Sequence, residues 1–488
     1  MNESPPLGIP PEDWAVTPVS VRVALLALLP LLPLVAENQR LQEQVTHLQV
    51  RVADLEARLA QHSGNSSKPP SSDPPGAPPR SAKRHHGRQP GGQPDHVGAS
   101  RDPAPADQIT ETILLRPDRC PDCGVDLAAC PLDPTDPVCH QVWELPVIRP
   151  TVTAYHCHRI TCPGCATPVR ADLPPDVPRG AFGPGVAAAI ALLHTDYRLS
   201  LREIPRLLRQ FFHLPISVGA TTQLYHTVGA AAAAPYAAVE AVVRQQDANL
   251  DETSWPQGTL PLWLWTMVTA VATLFRIGRR NRATLTAMIG ADFGGIITSD
   301  RLRVYASQPH ERWQICWAHL RREFVAFYER DGPVGDWAAT ALIQIDLMFL
   351  LWHGVRAGGL SREAFQASMT GIQTAFHALL IQGKDVPWEK ARGFSRDLAN
   401  HETALWTFVR EDGIEPTNNA AERALRPAVL WRKGCFGTQT ATGSQAVERL
   451  LTIRATCRQQ GLDPLEYLTA LVRAQWAGTP PPSLFVGA

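Results

Sequence analysis

Three carboxylates of this chain, Asp251, Asp300 and Glu422, have the types and positions needed to hold divalent metal ions. Asp251 and Asp300 each stand where a strand is predicted to end, and Glu422 lies in the first turn of a predicted helix that Asn418 or Asn419 can cap. Carboxylates are hard oxygen ligands that favour Mg2+ or Mn2+. Two such ions about 3.5–4 Å apart can activate a nucleophile and stabilise the leaving oxygen of a phosphodiester. The three acids therefore indicate metal-dependent chemistry on nucleic-acid phosphate.

The surroundings of Glu422 favour this interpretation over simpler ones. Alone, Glu422 could pair with Arg426 one turn further along the helix, and an isolated Asp often caps a helix or ends a strand. However, the segment from Arg423 to Arg458 carries seven basic residues and one acidic residue, Glu448. It is the ordered set of two strand acids and one helix acid beside a basic surface that points to nucleic acid.

Several basic and histidine side chains are candidates for holding DNA phosphates. They are His319, Arg322, Arg426, Arg432 and Lys433. Arginine makes bidentate contacts with phosphate, although each of these residues could also have only a structural role. Because the formal net charge is zero, contact with DNA must depend on local basic patches and not on the field of the whole protein.

Two CxxC pairs, Cys120 with Cys123 and Cys162 with Cys165, have the spacing of a structural zinc site. Each pair can present two thiolates to one metal, and both pairs together complete a tetrahedral set of four sulfurs. Because four thiolates leave no open coordination position, this zinc would be structural. In so small a zinc ribbon, metal binding would supply folding free energy.

Other ligands and a redox role are the alternatives for this region. Six further residues could take part: Cys130, Cys139, His140, His156, Cys157 and His158. A redox site needs one CxxC pair and not a matched set of two. The chain has ten cysteines and no secretory signal at its start, so we expect reduced thiols in a cytoplasm. Within the ribbon, residues 141–145 and 152–159 are predicted strands.

A heptad repeat runs through the N-terminal part of the chain. The d positions are Leu34, Leu41, Leu48 and Leu55, and the a positions are Asn38, Val45, Val52 and Leu59. Valine at a with leucine at d favours a parallel dimer, and a polar Asn at a fixes the register. The alternative is an amphipathic helix that packs on its own domain. We predict a coiled coil over residues 34–62 that joins two or more chains.

The segments on either side of this repeat are predicted to have no globular structure. Residues 63–107 are rich in Pro, Gly and Ser, so they cannot bury enough apolar surface to offset their ordering entropy and should form a disordered linker. Residues 1–33 form an N-terminal tail with an apolar segment. Its apolar run is short and interrupted by Pro30 and Pro33, so we expect no membrane span.

The remaining sequence predicts an α+β protein of several domains. After the zinc-binding domain (108–172) comes a helical region (173–245), in which residues 201–208 and 218–228 resemble a helix-turn-helix that reads DNA. Paired helices are common elsewhere, so this role is one alternative.

Residues 246–458 follow, with predicted strands at 262–272, 273–277, 295–300 and 314–317 and a helix at 282–289. An acid on an early strand, one on a later strand and one on a helix are the layout of a ribonuclease H-like fold. Residues 459–488 form a C-terminal tail region.

Five short motifs link the chain to a known group of proteins. They are Asp251-Glu252-Thr253 with Trp263-Leu264-Trp265, Ser299-Asp300 with Tyr305, the run Cys316-Trp317-Ala318-His319-Leu320-Arg321-Arg322, the run Asn418-Asn419-Ala420-Ala421-Glu422-Arg423, and Phe436-Gly437-Thr438. These motifs closely resemble the DDE transposases of the bacterial insertion sequence 66 type. The resemblance extends to the heptads, residues 66–73, the CxxC pairs and residues 461–464. One departure is Asp95 in the linker, where glycine is expected.

The resemblance implies a function and assigns roles to residues. Asp251, Asp300 and Glu422 become the catalytic acids that bind Mg2+ or Mn2+, and residues 330–416 become a helical insertion before the last acid. The partners become double-stranded DNA, both element ends and target, with small accessory proteins of the same element. A bacterial cytoplasmic, nucleoid-associated location is expected.

Two other functions stay open at this point. A metal-dependent nuclease of the same fold would cut DNA without joining it. A non-catalytic DNA-binding protein descended from a transposase would keep the coiled coil and the zinc ribbon. The presence of all three acids argues against the second alternative.

Overall fold

The computed structural model describes residues 10–28, 32–59, 101–132, 138–174, 177–330 and 332–485. In these ranges the chain is a mixed α/β protein. It divides into two compact units. The first holds the described residues of 1–81 together with Cys316–Asp412, and the second holds those of 82–315 and 413–488. All three predicted catalytic acids and both CxxC pairs belong to the second unit.

The elements follow one another in this order. The N-terminal helices are α1 (Pro11–Val16), α2 (Val19–Leu28) and α3 (Leu32–Leu59). After them come β1 (Arg159–Thr161), β2 (Pro168–Arg170), α4 (Pro184–Thr195), α5 (Ile204–Phe212), α6 (Val218–Ala231) and α7 (Ala233–Val243). The next elements are β3 (Ala248–Ser254), β4 (Trp263–Val268), β5 (Thr273–Gly278), α8 (Arg282–Ile289), β6 (Ile297–Ser299) and β7 (Trp313–Ile315). The last are α9 (Trp317–Tyr328), α10 (Pro333–Arg356), α11 (Arg362–Gln382), α12 (Glu389–Asn400), α13 (Glu402–Leu405), α14 (Thr407–Arg410), α15 (Asn419–Cys435), α16 (Ala441–Gln459) and α17 (Pro464–Ala477).

A five-stranded sheet with the order β5-β4-β3-β6-β7 forms the centre of the second unit. Strands β3, β4 and β5 are antiparallel neighbours, whereas β6 runs parallel to β3 and β7 runs parallel to β6. Strand β4 is almost wholly buried, as expected of a central strand that is covered on both faces. The strands and the helix α8 confirm the elements predicted for residues 262–317.

Helices α15 and α16 cover the sheet and form its main apolar cluster. The cluster consists of Trp255, Leu264, Phe275, Leu425, Ala428, Trp431, Val447 and Leu451. Trp255 and Trp431 meet edge to face with ring centroids 5.5 Å apart, an arrangement that aromatic pairs prefer. Because α15 contributes three members of this cluster, its N-terminal turn is held at a fixed place above the sheet.

Helices α5 and α6 form the predicted helix-turn-helix pair. His213 ends α5 in the left-handed conformation with φ of 51°, and the Leu214 amide donates to Leu208 O at 3.1 Å, which satisfies a free carbonyl of the last turn. Ser217 begins α6, since its hydroxyl accepts from the Ala220 amide at 3.2 Å. A capping serine after a left-handed residue fixes the sharp turn between the two helices.

The zinc-binding region differs from its prediction. Its antiparallel strands are β1 and β2, and residues 141–145 and most of 152–159 are not strands. The prediction was wrong because Val142 and Leu145 are largely exposed and gain nothing from an extended conformation without a neighbouring strand. The strand begins only at Arg159, next to the second CxxC pair.

The first unit combines the N-terminal helices with α9 to α14. Trp317, Phe324 and Phe376 lie at the centre of its aromatic core. Helix α10 is long and apolar enough to cross a membrane by length and composition, and within the described residues it is the one helix that is. These two properties alone do not indicate a membrane span, since core helices share both of them. The coiled coil was predicted for residues 34–62. Residues 34–59 lie in α3, and residues 60–62 fall outside the described part of the chain.

Candidate active site

Asp251 lies in the middle of strand β3 and not at its end as predicted, because β3 continues to Ser254. The charges of Asp300 and Glu422 both act on it. Burial raises the pKa of Asp251 well above its usual value, and the negative charges of Glu252, Asp300 and Glu422 raise this pKa further. The Glu252 backbone amide donates to Asp251 Oδ1 at 2.9 Å. Asp251 is therefore held in place by the backbone of its own strand, at a point where negative charge accumulates.

Asp300 follows the last residue of β6. Ala248 and Asn249 of β3 pair with Ile297 and Thr298 of β6, and this parallel register, continued by two residues, sets Asp300 beside Asp251. Asp300 Oδ1 accepts from the Leu302 amide at 3.0 Å. Burial raises the pKa of Asp300 and the charge of Glu422 adds to the shift, while this hydrogen bond and the positive charges of Arg280 and Arg301 oppose it.

Glu422 occupies the first turn of α15, as predicted, but the cap of this helix differs from the prediction. The Asn418 side chain does not cap the helix. Its amide Nδ2 donates to Leu250 O of β3 at 2.8 Å, and the residue is fully buried. Leu250 is fully buried, so its carbonyl cannot bond to water and is satisfied by this donor, whereas an exposed helix end can bond to water. Asn418 thus ties the helix of Glu422 to the strand of Asp251.

The donor chemistry of the three acids fits a divalent cation. Burial and the neighbouring negative charges raise the pKa values of Asp251 and Asp300, and a bound cation would oppose that rise. Within the described ranges, however, no three His, Cys, Asp or Glu side chains are arranged to hold a metal ion. Negative charge accumulates around Asp251 and Asp300, but the described side chains do not form a complete coordination sphere. Metal ligation therefore stays a prediction.

Glu252 is a fourth acid at this site. It belongs to the Asp251-Glu252-Thr253 motif, and the sequence predicted no role for it. Its side chain is 1% exposed and forms an ion pair with Arg280. Tyr305 donates its hydroxyl to the same carboxylate at 2.7 Å. The sequence signal for this residue was its place directly after Asp251. Its neighbour across the β3–β4 ladder is Trp265.

The predicted phosphate-binding residues lie in different parts of the molecule. Arg426 and Lys433 are exposed on α15. Arg432 donates to Thr253 Oγ1 at 3.0 Å and also to Ser254, so it joins α15 to β3. For Arg426, Arg432 and Lys433, contact with DNA stays a prediction.

His319 and Arg322 lie on α9 in the first unit. Burial, and secondarily the charge of Arg322, lower the pKa of His319 to about 3. For His319 and Arg322, contact with DNA stays a prediction.

The two CxxC pairs fold into the same local structure. The Cys120 amide donates to the carbonyl five residues later, and the Gly124 amide donates back to Cys120 O at 2.9 Å. Cys162 and Ala166 repeat both bonds, the second also at 2.9 Å. Gly124 and Ala166 both have positive φ, which alanine adopts only at a cost in free energy.

Hydrogen bonds at both pairs favour the thiolate. Backbone and side-chain bonds with Cys123 and Asp122 lower the pKa of Cys120, and bonds with Thr167 and Cys162 lower the pKa of Cys165. Thiolates are the form that binds zinc. The four sulfurs are not gathered at one point in the described region, so the zinc site stays a prediction supported by two matched half-sites.

Comparison with known proteins gives two curated relatives in Sinorhizobium fredii (strain NBRC 101917 / NGR234). The uncharacterized protein y4qI is 26% identical over 256 residues, which cover 45% of this chain and 46% of that protein. The uncharacterized protein y4hP is 26% identical over 215 residues, which cover 36% of each. The chain thus matches less than half the length of these relatives.

Two family models match the chain. A family of unknown function (DUF6444) matches residues 23–102, which include α3 and most of the predicted linker. The model described as Transposase IS66 family matches residues 179–446 and so includes the central sheet and all three acids. This match covers more than half of the chain, and it confirms the resemblance carried by the short motifs: the protein belongs to the IS66 family of transposases.

Proposed function

We propose that this transposase cuts and joins DNA at the ends of an insertion sequence, with Asp251, Asp300 and Glu422 as its catalytic acids. The observation that carries the proposal is the electrostatic interaction of these acids, which come from three separate parts of the sequence. Each of the other two acts on the pKa of Asp251. The family match supports DNA as the substrate.

The strand order supports a ribonuclease H-like catalytic domain. An antiparallel meander, β3 to β5, is followed by β6 and β7, which add in parallel on the other side of β3. In this arrangement the acid of the first strand and the acid after the fourth strand lie on neighbouring strands. Residues 330–416, which hold α10 to α14, would be the helical insertion that precedes the last acid.

The residues of this chain bind and orient the reacting groups. Mg2+ or Mn2+, when bound, would supply Lewis-acid activation of a water or a 3′-hydroxyl and stabilise the leaving oxygen. Asp251, Asp300 and Glu422 would hold these ions, with Asp251 between the other two. Asn418 and Arg432 keep α15 against β3 by their bonds to Leu250 and Thr253, so they set the height of Glu422 above the sheet.

A first test of this function uses the DNA that flanks the gene. We expect inverted repeats on both sides, and cleavage by the purified protein at those repeats in Mg2+ but not in EDTA. A nuclease of the same fold would cut with no preference for the repeats. A protein with an idle active site would bind them and leave them intact.

The N-terminal helix α3 is proposed as the assembly device. Leu41, Val45, Leu48, Val52 and Leu55 are each about half-exposed in the single chain. Such an apolar stripe is stabilised when a second copy of the helix completes the seam. Since a transposase must hold two element ends together, we propose a homodimer or a higher oligomer formed through α3.

Replacing Leu41, Leu48 and Leu55 with Asp should abolish this self-association, because each charge would be buried in the seam. The mass of the full chain, measured by sedimentation, should fall to that of the monomer. Complexes that contain two DNA ends should disappear while nicking of single ends persists. The control variant, Gln39→Asp with Thr46→Asp, adds charge outside the seam and should remain associated. A triple variant that still pairs ends at the wild-type level would show that α3 packs within its own chain.

Helices α5 and α6 are proposed as a unit that contacts the element ends. Arg202, Arg206 and Arg209 are exposed and are spaced so that they fall on one face of α5 and the turn before it. The nearby acid Asp196 is engaged with Arg454 at 2.8 Å and with Arg458. The exposed Glu203 interacts with Arg206 and offsets part of this positive charge, so two of the three arginines remain without a nearby acid of their own helix. In a helix-turn-helix the first helix crosses the DNA backbone, which matches arginines on α5.

Changing Arg202, Arg206 and Arg209 together to Gln should weaken DNA binding in a salt-dependent manner. Each lost phosphate contact reduces the slope of log K against log [salt] by about 0.9, so the slope should fall by roughly 2–3. Fluorescence anisotropy with a duplex across a salt series would measure it. Arg473→Gln, an exposed arginine on α17, is the matched control. An unchanged slope in the triple variant would place DNA on another surface.

The CxxC region is proposed as a structural zinc ribbon, and the cellular setting as a bacterial cytoplasm in which the protein acts on nucleoid DNA. The two matched turns support zinc, because they present thiolates from both ends of one small segment. Small accessory proteins of the same element are further proposed partners, by the family resemblance.

A further inference from the structure

The Glu252 carboxylate is a buried anion with both of its oxygens engaged. Arg280 donates to Oε1 from Nε at 3.0 Å and from Nη2 at 2.8 Å. Tyr305 donates to Oε2 at 2.7 Å. Charge-assisted bonds of this kind are roughly twice as strong as neutral ones. With its side chain 1% exposed and both oxygens hydrogen-bonded, Glu252 has at most one acceptor site left, on Oε2, for a metal ion.

The backbone of the same residue holds the first catalytic acid. The Glu252 amide donates to Asp251 Oδ1, so any movement of Glu252 along β3 moves the Asp251 carboxylate. Across the ladder Glu252 pairs with Trp265. The Trp265 ring contacts the Tyr305 ring at a centroid distance of 6.2 Å, which keeps the tyrosine beside the carboxylate.

Tyr305 connects this carboxylate to the second catalytic acid. Its amide donates to Leu302 O at 2.9 Å, and the Leu302 amide donates to Asp300 Oδ1 at 3.0 Å. Tyr305 is itself fully buried. The loop that begins at Asp300 is therefore fastened to β3 through one phenol hydroxyl and one carboxylate.

Arg280 completes the group from the end of β5. Its guanidinium lies over the Trp263 ring at 4.2 Å from the centroid, which orients the fork that meets Glu252. The same positive charge lowers the pKa of Asp300. Arg280 thus offsets the negative charge of Glu252 and reduces the repulsion among the neighbouring acids.

We infer that Glu252 is a positioning residue, which fixes the separation of the Asp251 and Asp300 carboxylates through Tyr305 and Arg280 and does not itself bind metal. This inference rests on the proposed metal-dependent function. Groups that orient metal ligands from behind typically contribute 10–100-fold to metal affinity or activity. Losing the hydroxyl of Tyr305 frees the Asp300 loop, and losing the charge of Glu252 removes the anchor for both Tyr305 and Arg280.

The first test compares two buried tyrosines in the same unit. Tyr305→Phe should raise the Mn2+ dissociation constant of the full-length protein about 10-fold or more, measured by calorimetry without DNA. Tyr236→Phe is the matched control, because Tyr236 donates its hydroxyl to Phe275 O at 2.9 Å, a backbone carbonyl of β5. It should bind Mn2+ as the wild type does. Equal Mn2+ affinities in all three proteins would overturn the inference.

The second test compares two buried carboxylates. Glu252→Gln should weaken Mn2+ binding as Tyr305→Phe does, whereas Glu448→Gln, whose carboxylate accepts from the Ile277 amide, should not. The double variant Glu252→Gln with Tyr305→Phe should lose no more Mn2+ affinity than the single variant that binds Mn2+ less tightly, because both changes break the same connection. Additive losses, or a large loss for Glu252→Gln beside normal binding by Tyr305→Phe, would make Glu252 a ligand and overturn the inference.

The proposed function and the positioning role of Glu252 can fail separately. If the wild-type protein binds no Mn2+ and cuts no DNA, the proposed function is wrong and the inference falls with it. If the wild type does both and the Glu252 and Tyr305 variants match it, only the inference is wrong. Strand cleavage measured across Mn2+ concentrations adds a further distinction, because a positioning role predicts partial recovery at high metal.

Discussion

Asp251→Asn, Asp300→Asn and Glu422→Gln should each reduce DNA strand cleavage by roughly 10³-fold. Metal ions stabilise the charge of phosphodiester displacement by several kcal/mol, and each 1.36 kcal/mol changes a rate about tenfold. An amide keeps the shape of the carboxylate but removes the negative charge that a cation needs. Cleavage of a labelled element end in Mg2+, followed by gel electrophoresis, would measure the effect.

Folding and DNA binding of these variants should stay close to those of the wild type. Burial and mutual repulsion raise the pKa of Asp251 and of Asp300, and the partly exposed Glu422 adds to this repulsion. Removing one charge should therefore preserve or raise the free energy of unfolding. Glu448→Gln is again the matched control, because it changes another buried acid of the same unit. A variant at Asp251, Asp300 or Glu422 that cuts DNA at the wild-type rate would remove that residue from the catalytic set.

Cys120→Ser or Cys165→Ser should each remove one bound zinc per chain and unfold the ribbon. Structural zinc contributes about 10–16 kcal/mol of apparent binding free energy in small domains, far more than this segment can gain from apolar burial, since its large apolar side chains are mostly exposed. Metal analysis of the purified protein would give the zinc content, and limited proteolysis would show whether residues 108–172 are cut first. A strong chelator should have the same effect on the wild type.

The catalytic region should stay folded in these cysteine variants. Its core is formed by the sheet with α15 and α16 and contains no CxxC residue. Cys130→Ser, at an exposed cysteine outside both pairs, is the control and should keep its zinc. Absence of zinc from the reduced wild-type protein would show that the two CxxC pairs have another role.

Much of the catalytic region could be predicted because local pattern and tertiary structure agree there. The helix at 282–289 has an Asn281 cap and ends before Gly290, and both signals are visible in the sequence. Asp300 could be recognised because it directly follows the short apolar strand β6. Asp251 was predicted to end its strand, and that position was wrong, because β3 continues to Ser254. The two acids are near each other because β3 and β6 are parallel neighbours.

Other features depended on contacts between distant residues and could not be predicted. Asn418 is a residue type that often caps helices. Its side chain instead donates to Leu250 O, because a buried carbonyl of β3 requires a hydrogen-bond partner. The environment of Glu252 arises from Arg280 and Tyr305, which the chain brings in from β5 and from the loop after β6. The strand prediction for residues 141–145 followed apolar composition, which the structure leaves exposed.

Strand transfer is the reaction that distinguishes a transposase from a nuclease of the same fold. The purified full-length protein would be incubated in Mg2+ with a duplex that ends in the inverted repeat beside its gene and with a supercoiled target plasmid. We expect covalent joining of the 3′ end of the repeat to the plasmid, read by sequencing across the junction, and no joining by Asp251→Asn. Cleavage of the duplex without any junction in the wild-type reaction would contradict the account and identify a nuclease.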